Sequence, residues 1–228
     1  MGLRHQWGLG DRRLYLCSPD RPDLERFVEA CVEGGVDIVQ LREKRLPDRI
    51  LVKRAALVQA VCADHQVPFI LNDKPDLAAA IGADGVHVGQ QDMSPTAARR
   101  VMGNDAVIGL STHATNELEK ALGTSPAVDY LSAGPVVATP TKPGRPGTGL
   151  AYIGEATSRS PWPVWVTGGV DPMTVAGMAA AGARHFVVVR WLTEATRPKA
   201  RARELRSAID QAIDSAIKAT DSAIGRTG

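Results

Sequence analysis

Eight short apolar runs recur along the 228-residue chain, and segments whose apolar residues have helical spacing separate them. We interpret the runs as strands at residues 13–17, 37–41, 69–71, 85–88, 107–110, 129–132, 163–166 and 185–189. Strands joined by helices pair in parallel. Eight such units in this length fit a closed (β/α)₈ barrel better than an open sheet, because closure leaves no edge strand. The sequence therefore predicts an α/β protein with a single TIM-barrel fold.

The chain shows no internal boundary and no low-complexity linker, so residues 1–228 are predicted to form one domain. Residues 1–12 are expected to be a leader, and residues from about 220 to 228 are expected to be a frayed tail. Helices are predicted at residues 23–33, 47–63, 75–81, 94–102, 116–122, 172–180 and 198–219. Residues 133–149, rich in proline, threonine and glycine, are predicted to form a long loop after the sixth strand.

Composition limits the classes of partner. The net charge of +2 is too small to indicate binding to nucleic acid or to an anionic membrane. No apolar run approaches the length of a membrane span, and there is no signal core at the start. Cys17, Cys31 and Cys62 have no metal-ligand spacing, and an odd count argues against a disulfide framework. We therefore expect a cytoplasmic protein with reduced cysteines; assembly into a homo-oligomer is left open.

Polar residues follow two neighbouring strands, with Asn72 and Asp73 after the third strand and Asp92 after the fourth. The carboxyl ends of parallel strands share one edge, so these side chains are expected to converge. Paired carboxylates suit a hard divalent cation, with Asn72 and substrate oxygens completing its shell. The alternative is that these residues cap the following helices. Taken alone, the stretch favours capping, but the remaining motifs reverse that preference.

Strand two delivers Gln40, Arg42 and Lys44, which alternate along an extended chain and can project together. Two cations and an amide are suited to a diphosphate, although a solvated charged turn is the more common setting for such a run. After strand five, Ser111 can donate a hydrogen bond to a substrate, and His113 is either an acid–base group or a helix cap.

The long loop after strand six carries Thr139, Thr141 and Lys142 beside two prolines that stiffen the backbone. Two hydroxyls and an ammonium can bind an anion there; the alternative is a flexible linker. Gly168 and Gly169 follow strand seven, at a place where barrels often bind phosphate. Together the motifs predict two phosphorylated small-molecule substrates, with a metal ion neutralising one of them.

With these motifs in this order, the chain resembles the thiamine phosphate synthase family from about residue 14 to residue 205. The motifs are VQLREK at 39–44, ND at 72–73, GVHVGQQD at 85–92, GLSTH at 109–113, GPVVATPTK at 134–142 and TGGV at 167–170. The resemblance implies a (β/α)₈ barrel that is a transferase. Such an enzyme joins a hydroxymethylpyrimidine diphosphate to a thiazole phosphate and releases diphosphate.

The resemblance also implies roles for individual residues. Those expected to hold the pyrimidine diphosphate are Gln40, Arg42, Lys44, Asn72, Ser111 and Lys142, with Ser111 and Lys142 counted as catalytic. Those expected to hold the thiazole phosphate are Thr139, Thr141, Gly168, Gly169, Val189 and Arg190. Asp73 and Asp92 are expected to bind Mg²⁺. Two positions depart from the family pattern: Thr167 replaces an aliphatic residue, and Arg190 replaces a small serine, so the role of its side chain is not defined.

Three alternatives stay open. A thiazole tautomerase shares the fold and the thiazole phosphate, but it needs neither a diphosphate nor a metal. A non-catalytic phosphate-binding barrel would bind ligands without turnover and would have no use for a metal site. A phosphosugar isomerase would need an acid–base pair that the sequence does not reveal.

Overall fold

The computed structural model describes residues 7–124, 126–139, 144 and 146–224, and its strands close into a barrel. The strands are β1 (Leu14–Ser18), β2 (Ile38–Leu41), β3 (Phe69–Asn72), β4 (Gly85–Val88), β5 (Val107–Thr112), β6 (Tyr130–Ala133), β7 (Val164–Thr167) and β8 (His185–Val188). Each pairs in parallel with the next, and β8 pairs with β1. The predicted (β/α)₈ barrel is confirmed.

The helices surround the barrel. They are α1 (Leu24–Glu33), α2 (Asp48–Asp64), α3 (Pro75–Ala80), α4 (Pro95–Met102), α5 (Thr115–Leu122), α6 (Gly149–Arg159), α7 (Val175–Ala180), α8 (Arg190–Thr193) and α9 (Pro198–Ile224). Helix α6, which packs through Tyr152, Ile153 and Ala156, was not predicted from the sequence. The last helix was predicted to end at residue 219, whereas α9 continues to Ile224. No helix in the described ranges is long and apolar enough to cross a bilayer.

Bulky side chains fill the inside of the barrel. Tyr15, Tyr130 and Trp165 are fully buried there, and Leu9 and Trp7 pack against the same cluster. Leu9 begins a short 3₁₀ turn, Leu9–Asp11, that precedes β1. Residues 7–12, predicted as a leader, therefore belong to the packing at the amino-terminal end of the barrel, and residues 1–6 lie outside the described ranges.

An aspartate precedes each of β2, β4 and β6 and ties that strand to the one before it. The Asp37 carboxylate accepts from the backbone N–H of Leu14 at 3.0 Å. The Asp84 carboxylate accepts from Phe69 N at 2.9 Å, and the Asp129 carboxylate accepts from Ile108 N at 2.7 Å. These contacts satisfy amides at the starts of β1, β3 and β5, and so they help to fix the register of neighbouring strands.

Asp37 also connects the barrel to the last helix. Its Oδ2 accepts from Arg13 N at 2.7 Å and from Arg206 Nη1, on α9, at 2.8 Å. The side chain of Asp37 is only 21% exposed, whereas Asp210, which also contacts Arg206, is 44% exposed. The half-buried Arg206–Asp37 pair is therefore expected to contribute more stability than the more exposed Arg206–Asp210 pair.

We predict that Asp37→Ala lowers the free energy of unfolding by about 2–4 kcal/mol, because two backbone amides and a guanidinium lose their acceptor. Asp210→Ala, the matched control, should lower it by less than about 1 kcal/mol. Urea unfolding of the two variants measures the difference, and equal losses would contradict the role given to Asp37.

Candidate active site

A cavity of about 500 Å³ opens at the carboxyl end of the barrel. The predicted site residues that line it are Gln40, Arg42, Lys44, Asn72, Asp73, Asp92, Ser111, Thr139, Gly168, Gly169, Val189 and Arg190. Thr141 and Lys142 lie outside the described residues. The structure thus brings together in one cavity every predicted site residue that it describes. Asn72 and Ser111 lie within β3 and β5 rather than after them.

Two carboxylates meet on one side of this cavity. The Asp73 side chain lies within hydrogen-bonding reach of Asp92, and its Oδ2 is 2.7 Å from the Lys44 ammonium. Burial and the neighbouring Asp92 carboxylate raise the pKa of the Asp73 carboxyl, and Lys44 opposes that rise. Two neighbouring carboxylates repel each other when both are charged, so a cation bound between them would relieve the repulsion.

The structure does not support the capping interpretation of these two aspartates. Helix α3 has Lys74 at its N-cap and no side-chain cap, and Ser94 Oγ caps α4 by accepting from Ala97 N at 3.3 Å. Asp92 instead accepts from Gly89 N at 2.8 Å. Asp73 has a φ of +65°, which is uncommon for a residue other than glycine and often marks a functional site.

The donor chemistry fits Mg²⁺ only with help from a ligand. Within the described ranges no group of three or more His, Cys, Asp or Glu side chains is arranged to hold a metal ion. Mg²⁺, however, commonly takes one or two carboxylates from the protein and fills its octahedron with water and substrate phosphates. Asp73 and Asp92 can supply the protein's share of such a shell.

Several donors around the cavity are not committed to the protein. Arg42 and Arg190 form no salt bridge with the residues that the structure describes, in contrast to Lys44. The Asn72 side chain is almost fully buried, and its Nδ2 has no hydrogen-bond partner among the described residues. Buried amide nitrogens are usually paired, so this one indicates a place for a ligand acceptor.

The backbone after β7 passes close to its neighbours. Gly168 and Gly169 have φ values of +92° and +79°. A Cβ on Gly168 would stand 2.4 Å from Pro135 Cβ, and one on Gly169 would stand 2.5 Å from Val137 Cγ2. Only glycine fits both positions, and this lets the chain approach a ligand closely beside Val189 and the start of α8.

Sequence reasoning left out His87, which lines the cavity. Its Nε2 lies 2.8 Å from Ser111 Oγ. The signal was available in β4, where Gly85 and His87 alternate with Val86 and Val88, so the histidine shares the inward face with the glycine. Gln90, also left out, donates from Nε2 to the Ser111 carbonyl at 2.7 Å.

His113, for which two roles were left open, also lines the cavity. Glu117, in the first turn of α5, accepts from His113 N at 2.7 Å and contacts its Nδ1 at 2.8 Å. The carboxylate therefore fixes the imidazole at the entrance to the helix.

The family of the chain is given by its similarity to known proteins. The family model described as thiamine monophosphate synthase matches residues 14–192. The chain belongs to the thiamine monophosphate synthase family. The match ends at residue 192, so Arg206 of α9, which contacts Asp37, lies outside the matched residues.

Individual relatives cover most of the chain. The thiamine-phosphate synthase of Thermobifida fusca is 43% identical over 202 residues, which is 87% of this chain and 92% of that protein. The enzyme of that name from Thermus thermophilus is 45% identical, over 85% of this chain and 95% of that protein. A structure titled thiamine phosphate pyrophosphorylase from Pyrococcus furiosus has a TM-score of 0.79 at 24% identity, over 88% and 96% of the two chains, and it supports the fold alone.

We predict that Gly168→Ala lowers the free energy of unfolding by about 1–3 kcal/mol, because the new Cβ is strained at positive φ and meets Pro135. Gly177→Ala in α7 is the matched control: its nearest neighbour, Leu150 Cδ1, would be 3.8 Å away. Alanine favours a helix by about 0.5–1 kcal/mol, so this variant should be as stable as the parent or more so. Urea unfolding measures both, and a Gly168→Ala protein as stable as the parent would contradict the close approach.

Proposed function

We propose that this protein is a thiamine phosphate synthase. It transfers the hydroxymethylpyrimidine group from its diphosphate to the ring nitrogen of a thiazole phosphate, and diphosphate leaves. The observation that supports this most strongly is the meeting, in one cavity, of a carboxylate pair, uncommitted cations and a glycine cradle. Membership of the family sets the reaction class, and these features supply the groups that the reaction needs.

The pyrimidine diphosphate is proposed to bind along the rim formed by β2 to β5. Arg42 and Lys44 extend beyond β2, and the buried Asn72 amide lies at the end of β3. Charge grows on the diphosphate as its bond to the pyrimidine methylene carbon breaks. Donors already held in place for that charge stabilise the transition state more than the bound substrate, and this difference accelerates the reaction.

We place Mg²⁺ at Asp73 and Asp92. When bound there, the ion offsets the negative charge that develops on the leaving diphosphate. The residues' own contribution is to set its position: Gly89 N orients Asp92, and Lys44 approaches Asp73 from the segment after β2 that also carries Arg42. The raised pKa of Asp73 supports the assignment, since a cation would remove the repulsion that contributes to it.

The thiazole phosphate is proposed to bind on the opposite rim, formed by the segments after β6, β7 and β8. Thr139 supplies a hydroxyl, Gly168 and Gly169 supply close backbone, and Arg190 supplies a cation at the start of α8. With the two anionic groups held on opposite rims, the thiazole nitrogen and the pyrimidine methylene carbon can meet over the centre of the barrel. The C–O bond breaks, the C–N bond forms, and the diphosphate keeps the electron pair; proximity of the two substrates lowers the barrier.

The arrangement favours the synthase over the alternatives. A thiazole tautomerase would use the β6–β8 rim but not the carboxylate pair or the β2 cations. A non-catalytic barrel would bind both phosphates without forming product. A coupled assay with both substrates and Mg²⁺, with and without EDTA, separates the three.

We predict that Asp92→Asn lowers kcat about 100-fold or more in that assay, because the diphosphate loses charge compensation that acts in the transition state. Asp76→Asn, an exposed carboxylate in the first turn of α3, is the matched control and should leave the rate unchanged. EDTA should abolish parental turnover, and Mg²⁺ should restore it. A chelator-insensitive rate, or full activity of Asp92→Asn, would remove the metal from the proposal.

We predict that Thr139→Val raises KM for the thiazole phosphate about 10-fold or more, the value of one lost hydrogen bond to a charged group. KM for the pyrimidine diphosphate should stay within about twofold, since its anionic group lies on the other rim. Initial rates with each substrate varied in turn give both constants. Equal increases would argue against two separate phosphate sites.

A further inference from the structure

A chain of hydrogen bonds crosses the inside of the barrel at the floor of the cavity. Gln40 Nε2 donates to Tyr15 Oη at 2.7 Å, and Tyr15 Oη lies 3.0 Å from Tyr130 Oη. Tyr130 Oη lies 3.0 Å from His87 Nδ1, and His87 Nε2 lies 2.8 Å from Ser111 Oγ. The chain thus joins two residues predicted to hold the pyrimidine diphosphate, Gln40 and Ser111, through three that the proposed function does not use.

All five side chains are buried, each at most 8% exposed. Burial raises the pKa of both tyrosines, so at neutral pH each remains a phenol with one proton to donate. A buried hydroxyl must place that proton on an acceptor, so the direction of each hydrogen bond constrains the next one.

The direction of the hydrogen bonds is set first at Gln40. The Cys17 thiol donates to Gln40 Oε1 at 3.3 Å, and this leaves the amide nitrogen facing Tyr15. An amide nitrogen only donates, so Tyr15 Oη accepts, and its own proton goes to Tyr130 Oη. Tyr130 then has its single proton to give to His87 Nδ1.

His87 completes the sequence. With Nδ1 accepting from Tyr130, the neutral imidazole carries its proton on Nε2, which donates to Ser111 Oγ. The Ser111 hydroxyl proton is then free to turn toward the cavity that this side chain lines. If the hydrogen bonds ran in the opposite direction, His87 would accept the proton of Ser111, as a general base accepts a proton from a nucleophile.

The barrel is built to accommodate this arrangement. Gly109 of β5 pairs with His87 on one side and with Tyr130 on the other. A Cβ on Gly109 would lie 2.0 Å from Tyr130 Cζ and 2.3 Å from its hydroxyl. The tyrosine can reach His87 only because this position has no side chain.

We propose that His87 is a positioning residue: the polarised chain from Gln40 through Tyr15 and Tyr130 makes it donate to Ser111, so that Ser111 donates to an acceptor atom of the bound pyrimidine diphosphate. The proposal rests on the proposed function for the identity of that ligand. Ser111 acts here as a hydrogen-bond donor and not as a nucleophile, in agreement with direct transfer between the two bound substrates.

Two substitutions separate a donor from a base. His87→Gln can place an amide N–H near the Nε2 position but cannot take up a proton, whereas His87→Asn is one methylene too short to reach Ser111. We expect His87→Gln to keep kcat within about tenfold of the parent and His87→Asn to lose about 100-fold, with KM for the thiazole phosphate unchanged in both. Equal and severe loss in both variants would overturn the proposal in favour of a base.

Coupling to Ser111 distinguishes positioning from mere packing. In a Ser111→Ala background, His87→Asn should lower kcat by less than about threefold further, because its effect acts through the serine. A further loss of about 100-fold in that background would overturn the proposed path.

The tautomer is measured directly by ¹⁵N NMR of the full-length protein, with the His87 signals assigned from His87→Gln. We expect the proton on Nε2 in the parent, and loss of that preference in Tyr130→Phe, which removes the donor to Nδ1. A proton on Nδ1 in the parent would overturn the proposal. The NMR measurement needs no turnover. A wrong direction of the hydrogen bonds is therefore observed separately from failure of the proposed reaction in the coupled assay.

Discussion

At the starts of three strands, a backbone amide donates its hydrogen bond to a carboxylate that precedes the following strand. These hydrogen bonds set the positions of the residues at the opposite end of the barrel. Asp37, Asp84 and Asp129 tie β1 to β2, β3 to β4 and β5 to β6. A strand of four to six residues is short, and a slip of one residue would turn its side chains to the other face. Ties at the amino end therefore determine which residues reach the cavity at the carboxyl end.

Much of the fold was predictable because buried strands have a distinctive sequence pattern. Each predicted strand lies within two residues of the observed one. Helix α6 was missed because it starts with glycine, holds a second at Gly154, and follows a proline-rich segment with loop composition. The rim residues were predictable because they follow strands. The link between Gln40 and His87 at the floor was not predictable, since Tyr15 and Tyr130 are 115 residues apart and meet only across the closed barrel.

Charged side chains and neutral polar side chains lie at different depths in the cavity. Arginines, a lysine and the carboxylate pair occupy its rim, where solvent can screen them. The floor consists of an amide, two phenols, an imidazole and a hydroxyl, joined to one another by hydrogen bonds. An isolated ion at that depth would be costly, whereas a satisfied neutral network can orient a ligand without that penalty.

The packing of Leu9 and Trp7 against the inner cluster has a kinetic consequence. In the described part of the chain the cavity is closed at its lower end, because side chains fill the barrel below it. Ligands can therefore enter and leave only through the rim. Both substrates must therefore enter, and both products must leave, through this one opening. Packing at the amino-terminal end of the barrel makes entry and release share a single route at the carboxyl end.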